Sequence, residues 1–77
     1  MPALHFDRAA MRRIREASGL SRQELADRVG RHVSSINRWE YGIKTPLLDG
    51  IGELADALGV EYTELIASAD REEAVSA

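Results

Sequence analysis

The sequence contains no cysteine among its 77 residues. This absence excludes disulfide bonds, a thiolate nucleophile and any zinc site with cysteine ligands. No apolar run approaches the roughly 18 residues that predict a transmembrane helix, and no basic stretch leads into an apolar segment near the N-terminus. We therefore expect neither a membrane span nor a secretory signal, and we expect the protein to lie in the cytoplasm.

Histidine is also scarce, and the positions of the two histidines argue against catalysis. His5 precedes the first predicted helix and His32 lies in a turn, and neither has a nucleophile nearby in a recognised arrangement. The carboxylates lack the spacing of metal ligands, and the single glycines follow helices instead of forming a phosphate-binding loop. We expect no enzyme activity, no metal site and no cofactor.

The hydrophobic and charged fractions and the chain length predict one small domain. Hydrophobic residues make up 44% of the chain and charged residues 30%, which is ordinary for a globular protein. A chain of this length buries only about 60% of the surface that it exposes when unfolded, so we expect a single small core.

Charge is distributed unevenly along the chain. Residues 1–44 contain nine Arg and Lys against five Asp and Glu, whereas residues 45–77 contain one Arg against eight Asp and Glu. The net charge of −3 counts against a nucleic-acid binder, which is usually basic. The basic first half counts in favour, because a local positive field attracts a polyanion. Small domains often divide their charge unevenly, so the charge alone leaves both interpretations open.

Start and stop signals predict two helices in the first thirty residues. Asp7 is typical of an N-cap and Gly19 of a helix end. The second helix begins with the capping box formed by Ser21 and Glu24, and Gly30 ends it at a position that needs a left-handed backbone.

Three further helices are predicted, with no strand-like alternation anywhere. The third runs from Val33 to Glu40 or Tyr41, the fourth lies within residues 47–58, and a short fifth covers residues 62–67. Gly50 and Gly52 weaken the fourth helix by about 1 kcal/mol each relative to Ala. The acidic tail, residues 68–77, either frays or extends the fifth helix.

The third predicted helix has two unlike faces. Ile36 and Trp39 point in one direction, so we predict that Trp39 belongs to the core and is not a stacking platform. The opposite face carries a hydroxyl, an amide, a guanidinium and a phenol, and it carries no carboxylate: Ser34, Asn37, Arg38 and Tyr41. Such a face suits the edges of bases in a major groove about 12 Å wide.

A short turn containing glycine joins the second and third helices, which makes the pair a helix-turn-helix candidate. The segments LSRQELADRVG, at residues 20–30, and SSINRWEYG, at residues 34–42, resemble the Cro/C1-type (Xre-like) helix-turn-helix family of phage repressors and bacterial regulators. Pro46, LADALGV at residues 54–60 and ELI at residues 64–66 resemble the rest of that family's domain. The resemblance covers residues 7–67.

This resemblance implies an all-α, five-helix, lambda-repressor-like DNA-binding domain over residues 1–67, with residues 33–41 as the recognition helix. Together with the polar face of that helix, it predicts base contacts from Val33, Ser34, Asn37 and Arg38. Predicted phosphate contacts come from the start of the second helix, the turn, the helix end and the following loop: Arg22, Arg31, His32, Tyr41 and Lys44.

Several of these assignments leave a plainer alternative open. Ser34 is either a base contact or a helix cap, and Tyr41 either meets a phosphate through its hydroxyl or covers the helix end. Arg31 and His32 lie in a turn that is exposed in any case.

The resemblance also implies a buried ion pair between Arg15 and Glu40, and a homodimer contact near the fifth helix from Tyr62, Leu65 and Ile66. A homodimer would place two recognition helices on an inverted repeat.

The sequence departs from the family pattern at four positions. Arg31 stands where the turn usually has an apolar residue. His32 stands where Ser or Thr usually caps the recognition helix, which predicts either a slightly late helix start with Ser34 as the cap or a strained first turn. Val33 replaces a polar residue and has only a thymine methyl to contact. Leu47 stands where the fourth helix usually has a Ser cap.

Our first hypothesis is therefore a sequence-specific regulator, a phage or bacterial repressor that binds an inverted-repeat operator in double-stranded DNA as a homodimer. The alternative is an antitoxin that binds a toxin protein and its own promoter, with the acidic second half facing a basic toxin. A third hypothesis is a helix-turn-helix that serves protein contact only, which predicts no salt-dependent affinity for DNA.

Overall fold

A computed structural model gives the structure of residues 3–68. In chain order it contains the strand β1 (Leu4–Phe6), the helices α1 (Arg8–Ala17), α2 (Arg22–Val29), α3 (Val33–Tyr41) and α4 (Leu48–Leu58), a 3-10 helix η1 (Tyr62–Leu65) and the strand β2 (Ile66–Ser68). No helix within residues 3–68 is long and apolar enough to cross a membrane. Ser68, the first residue of the predicted tail, lies in β2, and the rest of that prediction, residues 69–77, lies outside the described residues.

The predicted all-α, five-helix fold is confirmed only in part, because the fifth helix is not an α-helix. The backbone makes a single 3-10 turn and then becomes extended at Ile66, with φ −125° and ψ 136°. Two features explain the change. Ile66 is β-branched, which lowers its helix propensity slightly, and β1 supplies the antiparallel partner, pairing Phe6 with Ile66 and Leu4 with Ser68. Three-residue strands are too short to show alternation in the sequence.

The predicted caps of α1 and α2 are confirmed. The Asp7 carboxylate accepts a hydrogen bond from the Ala10 backbone N–H at 3.0 Å. In α2 the Ser21 hydroxyl accepts from the Glu24 N–H at 3.0 Å, while the Glu24 carboxylate accepts from the Ser21 N–H at 2.9 Å. That backbone hydrogen bond from Ser21 lowers the pKa of Glu24. Gly30 ends α2 in the left-handed region, with φ 70°.

The start of α3 differs from the expectation of a late or strained first turn. His32 is the N-cap, with an ordinary extended backbone, and α3 begins at Val33. Its Nδ1 accepts from the Ser34 backbone N–H at 3.1 Å and lies 3.0 Å from the Ser34 hydroxyl. An imidazole nitrogen thus replaces the usual Ser or Thr oxygen. The cap requires an unprotonated Nδ1, so the neutral ring carries its proton on Nε2.

Each helical element contributes one large, fully buried side chain to the core. These side chains, in chain order, are Met11, Leu25, Ile36, Leu54 and Leu65. Trp39 is also buried, with 6% of its surface exposed, which confirms its prediction as a core residue. The core therefore holds α2 and α3 against α1, α4 and η1, and it leaves the outer face of α3 free.

Gly52→Ala is expected to stabilise the domain by about 1 kcal/mol, because Ala has the higher helix propensity and nothing lies within 4 Å of the added Cβ. Gly50→Ala is the matched variant on the same helix. Its Cβ would meet the Pro46 Cβ at 3.3 Å, so a smaller gain or a loss is expected. Urea unfolding measures both; equal gains would contradict this account of α4 packing.

Candidate nucleic-acid interface

The turn between α2 and α3 is built by local backbone bonds. Beyond Gly30, the Arg31 N–H donates to the Ala26 carbonyl at 3.0 Å, which closes the end of α2. Leu25 and Ala26 on α2 and Ile36 on α3 are fully buried and belong to one core cluster. This packing holds α3 across α2 and directs the opposite face of α3 outward.

The four predicted base-contacting residues lie on α3 but differ in accessibility. Arg38 is exposed, and no carboxylate among residues 3–68 forms an ion pair with it. Ser34 and Asn37 are half-buried, and the Ser34 hydroxyl is engaged with His32. Val33 is half-buried and packs against the core, so only part of it faces outward.

Arg31, a predicted phosphate contact, is held by two side chains. Its Nε and Nη2 lie 2.8 and 2.7 Å from one carboxylate oxygen of Glu53 on α4. Its guanidinium also lies over the Trp39 ring, 5.1 Å from the centroid. Arg31 therefore ties the turn to α4 and shields the indole. Nothing in the sequence pattern pointed to Glu53 as its partner.

A groove of about 320 Å³ separates the end of α3 from the start of α4. Three cationic side chains line it: Arg31, Arg38 and Lys44. The hydroxyl residues Ser35 and Thr45 line it as well, and sequence reasoning missed both. Asp49 is the one carboxylate in this lining. The groove therefore presents positive charge and hydroxyl donors beside the outward face of α3, which are the groups that bind DNA phosphates.

Arg15 and Glu40 form a buried ion pair between α1 and α3. The Arg15 Nε donates to Glu40 at 2.6 Å and its Nη2 at 3.2 Å, while its Nη1 donates to the Leu20 carbonyl at 2.8 Å. Arg15 is 7% and Glu40 5% exposed. Burial by itself would raise the pKa of Glu40, but hydrogen bonds from Arg15 and Arg22 outweigh burial and lower it.

Arg22 extends this pair into a network of three charges. The Arg22 Nε donates to Oε1 of Glu40 at 3.1 Å, and the same oxygen accepts from Arg15 Nη2. The hydrogen bond to Glu40 raises the pKa of Arg22. The guanidinium also lies over the ring of Tyr41, 4.9 Å from the centroid. Tyr41 itself is 53% exposed. The first residue of α2 is thereby connected to the last two residues of α3.

The predicted dimer residues differ in accessibility. Leu65 is completely buried in the chain's own core, so its assignment to a dimer contact is wrong: a side chain that fills the core has no area left for a partner. Tyr62 is 53% exposed, and Ile66 is half-buried in β2.

The second half of the described chain exposes only negative charge. Residues 45–68 contain no Arg or Lys, and their five carboxylates are all exposed: Asp49, Glu53, Asp56, Glu61 and Glu64. Of these, Glu53 is paired with Arg31. Within the described residues, all Arg and Lys side chains thus lie before residue 45, on α1 to α3, in the α2–α3 turn and in the loop after α3, where carboxylates are present as well.

Comparison with known proteins places this arrangement in a family. A family model described as Helix-turn-helix matches residues 11–65. The chain belongs to the Cro/C1-type helix-turn-helix family. It is accordingly a DNA-binding transcription regulator of that type, and the family binds double-stranded DNA.

Individual relatives agree with this membership. The chain is 34% identical over 58 residues, 75% of either chain, to an uncharacterized HTH-type transcriptional regulator, y4dJ, from Sinorhizobium fredii (strain NBRC 101917 / NGR234). The crystal structure of the restriction-modification controller protein C.AhdI from Aeromonas hydrophila is similar with a TM-score of 0.73 and 36% identity, covering 75% of this chain and 88% of that one. A hypothetical transcription factor, NHTF from Neisseria, has the same TM-score at 25% identity and covers 97% and 95%.

Proposed function

We propose that this regulator is a repressor that reads a specific inverted-repeat operator as a homodimer. One observation carries the proposal: the outward face of α3 bears an unpaired Arg38 and no carboxylate, and it is bordered by the cationic groove. Arg is the side chain that most often reads a base, through two hydrogen bonds to guanine. The sequence resemblance to the Cro/C1-type family, which includes phage repressors, favours repression as the direction of regulation.

The proposed roles follow the geometry residue by residue. Arg38 reads a base, and Asn37 and Ser34 assist from the same face, while the half-buried Val33 contacts a thymine methyl. Lys44 and Arg31 bind phosphates from the groove. The ion pair with Glu53 and the contact with the Trp39 ring hold the Arg31 guanidinium in place there. Arg22 binds a phosphate at the start of α2, where the helix dipole favours an anion.

Homodimerisation is proposed because one α3 offers only a few base contacts. Two copies on a two-fold axis read half-sites about 34 Å, or one helical turn, apart. Since Leu65 is buried, the contact that we propose uses the exposed Tyr62 and the half-buried Ile66.

The test is selection of bound duplexes from a random DNA pool at about 150 mM salt, close to physiological ionic strength. The expected result is enrichment of an inverted repeat with half-site centres about 10 base pairs apart, bound by two chains in native mass spectrometry. Transcription in vitro from a promoter carrying the selected site should fall. No enrichment by a folded protein would contradict the proposal, and a single half-site bound by one chain would remove the homodimer from it.

A second candidate, an antitoxin, rests on the acidic surface of α4 and η1. Residues 45–68 contain five exposed carboxylates and no Lys or Arg. Glu53 is paired with Arg31 and Asp49 lines the cationic groove, and the other three carboxylates suit a basic protein. Co-purification of one basic partner encoded beside this chain, at a fixed stoichiometry that high salt disrupts, would support this candidate. An isolated homodimer under the same conditions would contradict it.

A further inference from the structure

The first residue of α2 and the last residue of α3 meet through a charged side chain and an aromatic ring. The Arg22 guanidinium lies 4.9 Å from the Tyr41 ring centroid. Both residues are accessible: the Arg22 side chain is 29% exposed and Tyr41 53% exposed. A cation over an aromatic face is attracted by the negative face of the ring, so the ring gives the guanidinium a preferred plane.

Glu40 restrains the same guanidinium at one edge. The carboxylate oxygen accepts the Nε–H at 3.1 Å, and Glu40 is itself fixed by Arg15. The Nε–H is one of five donors on an Arg head group, and the other four are on the two terminal nitrogens. Tyr41 thus sets the plane of the Arg22 guanidinium, and Glu40 holds its Nε edge. The two terminal nitrogens of Arg22 remain available for the two parallel hydrogen bonds that a guanidinium makes to a phosphate.

We propose that Tyr41 is a positioning residue, whose ring holds Arg22 in the orientation that binds a DNA phosphate. This inference rests on the proposed function and replaces the sequence-based prediction that Tyr41 meets a phosphate itself through its hydroxyl. The two roles differ in what they require. Positioning needs the ring face and depends on Arg22, whereas direct contact needs the hydroxyl and is independent of Arg22.

The experiment compares Tyr41→Ala, Tyr41→Leu and Tyr41→Phe in the full chain, alone and combined with Arg22→Ala. Each variant is titrated with the selected operator duplex and with an unrelated duplex, from low to high salt. Leu retains apolar bulk without a ring face, so it separates lost packing from the lost cation–π contact. Thermal unfolding and the fluorescence of the single Trp39 establish that each variant is folded.

We expect Tyr41→Ala and Tyr41→Leu to weaken binding to both duplexes about two- to fivefold, the size of an exposed cation–π contact. The salt dependence should become shallower in the same direction as in Arg22→Ala, by at most the slope of about 0.9 for one phosphate. Tyr41→Phe should restore the affinity and the slope. In the Arg22→Ala background, replacing Tyr41 should change neither.

Three outcomes would overturn the inference. If Tyr41→Phe loses as much affinity as Tyr41→Ala, the hydroxyl makes the contact. If the loss from Tyr41→Ala persists undiminished without Arg22, the ring does not act through that residue. If the folded wild-type protein shows no salt-dependent duplex binding, the proposed function fails, and this inference fails with it; that outcome is recognisable because it precedes any comparison of variants.

Discussion

Glu40→Gln is expected to lower the free energy of unfolding by about 3–5 kcal/mol, because it leaves the buried Arg15 guanidinium without its counter-charge. Arg15 and Glu40 are 7% and 5% exposed, and water therefore cannot replace the lost carboxylate. The loss is a large fraction of the total stability of a small domain, about 5–15 kcal/mol. Urea unfolding at neutral pH measures it.

The matched control is Glu16→Gln on α1. Glu16 also pairs with an arginine, Arg12, but that pair is 3.6 Å apart and its side chains are 55% and 56% exposed. Exposed pairs of this kind contribute about 0.2–1 kcal/mol. Similar losses from the two Gln variants would mean that burial of the Arg15–Glu40 pair has no energetic role.

The same network predicts how stability depends on pH. The pKa of Glu40 in the folded protein is lower than its ordinary value of 4.5, so the folded state favours the carboxylate. The stabilisation is therefore present above pH 4.5 and is lost as the pH falls through the lower folded-state pKa. The difference in unfolding free energy between wild type and Glu40→Gln should shrink below pH 4.5. A difference that stays constant down to acid denaturation would contradict this assignment.

Arg38→Ala is expected to abolish discrimination at one base pair of each half-site, at about 1–3 kcal/mol per site. The measurement compares the selected operator with its single-base variants, for wild type and mutant. Wild type should penalise every change at the position that Arg38 reads, and the mutant should accept all four bases there. Binding at the other positions should retain its preferences.

Two further variants serve as controls for this prediction. Arg22→Ala should weaken binding to all sequences alike and reduce the salt dependence, as expected of a phosphate contact. Arg13→Ala removes the same charge from an exposed position on α1, outside the α2–α3 unit, and should leave base preference intact. If Arg38→Ala lowers affinity in parallel for all duplexes, its guanidinium contacts phosphate and another residue reads the base.

The α2–α3 unit was predictable from the sequence because its signals are local. The Ser21–Glu24 capping box and the left-handed Gly30 act within one helical turn, and each restrains the backbone regardless of distant residues. The outer face of α3 follows from the 3.6-residue period alone, so Arg38 and Asn37 could be placed before any contact was known. His32 is the exception: its imidazole caps α3, although the residue type predicted otherwise.

The partners of the charged residues were decided by the tertiary structure. Arg22 meets Glu40 across 18 residues of sequence and Arg31 meets Glu53 across 22. A charge pattern contains no information about which of several carboxylates will lie within hydrogen-bonding distance, because that depends on how helices cross. Only the assembled core showed that Arg31 and Arg22 are held by carboxylates beside the proposed DNA surface.

Residues 62–68 show most clearly the difference between what local sequence predicts and what tertiary structure decides. Residues 62–67 have apolar side chains at helical spacing, and their sequence favoured a short helix. In the fold, Leu65 enters the core, and β1 offers backbone partners to Ile66 and Ser68 from 60 and 64 residues away. Local sequence signals thus determined the helix ends and helix faces wherever the interacting residues lie within one helical turn. Where a backbone or a charge found its partner across the core, packing and long-range hydrogen bonding decided the outcome.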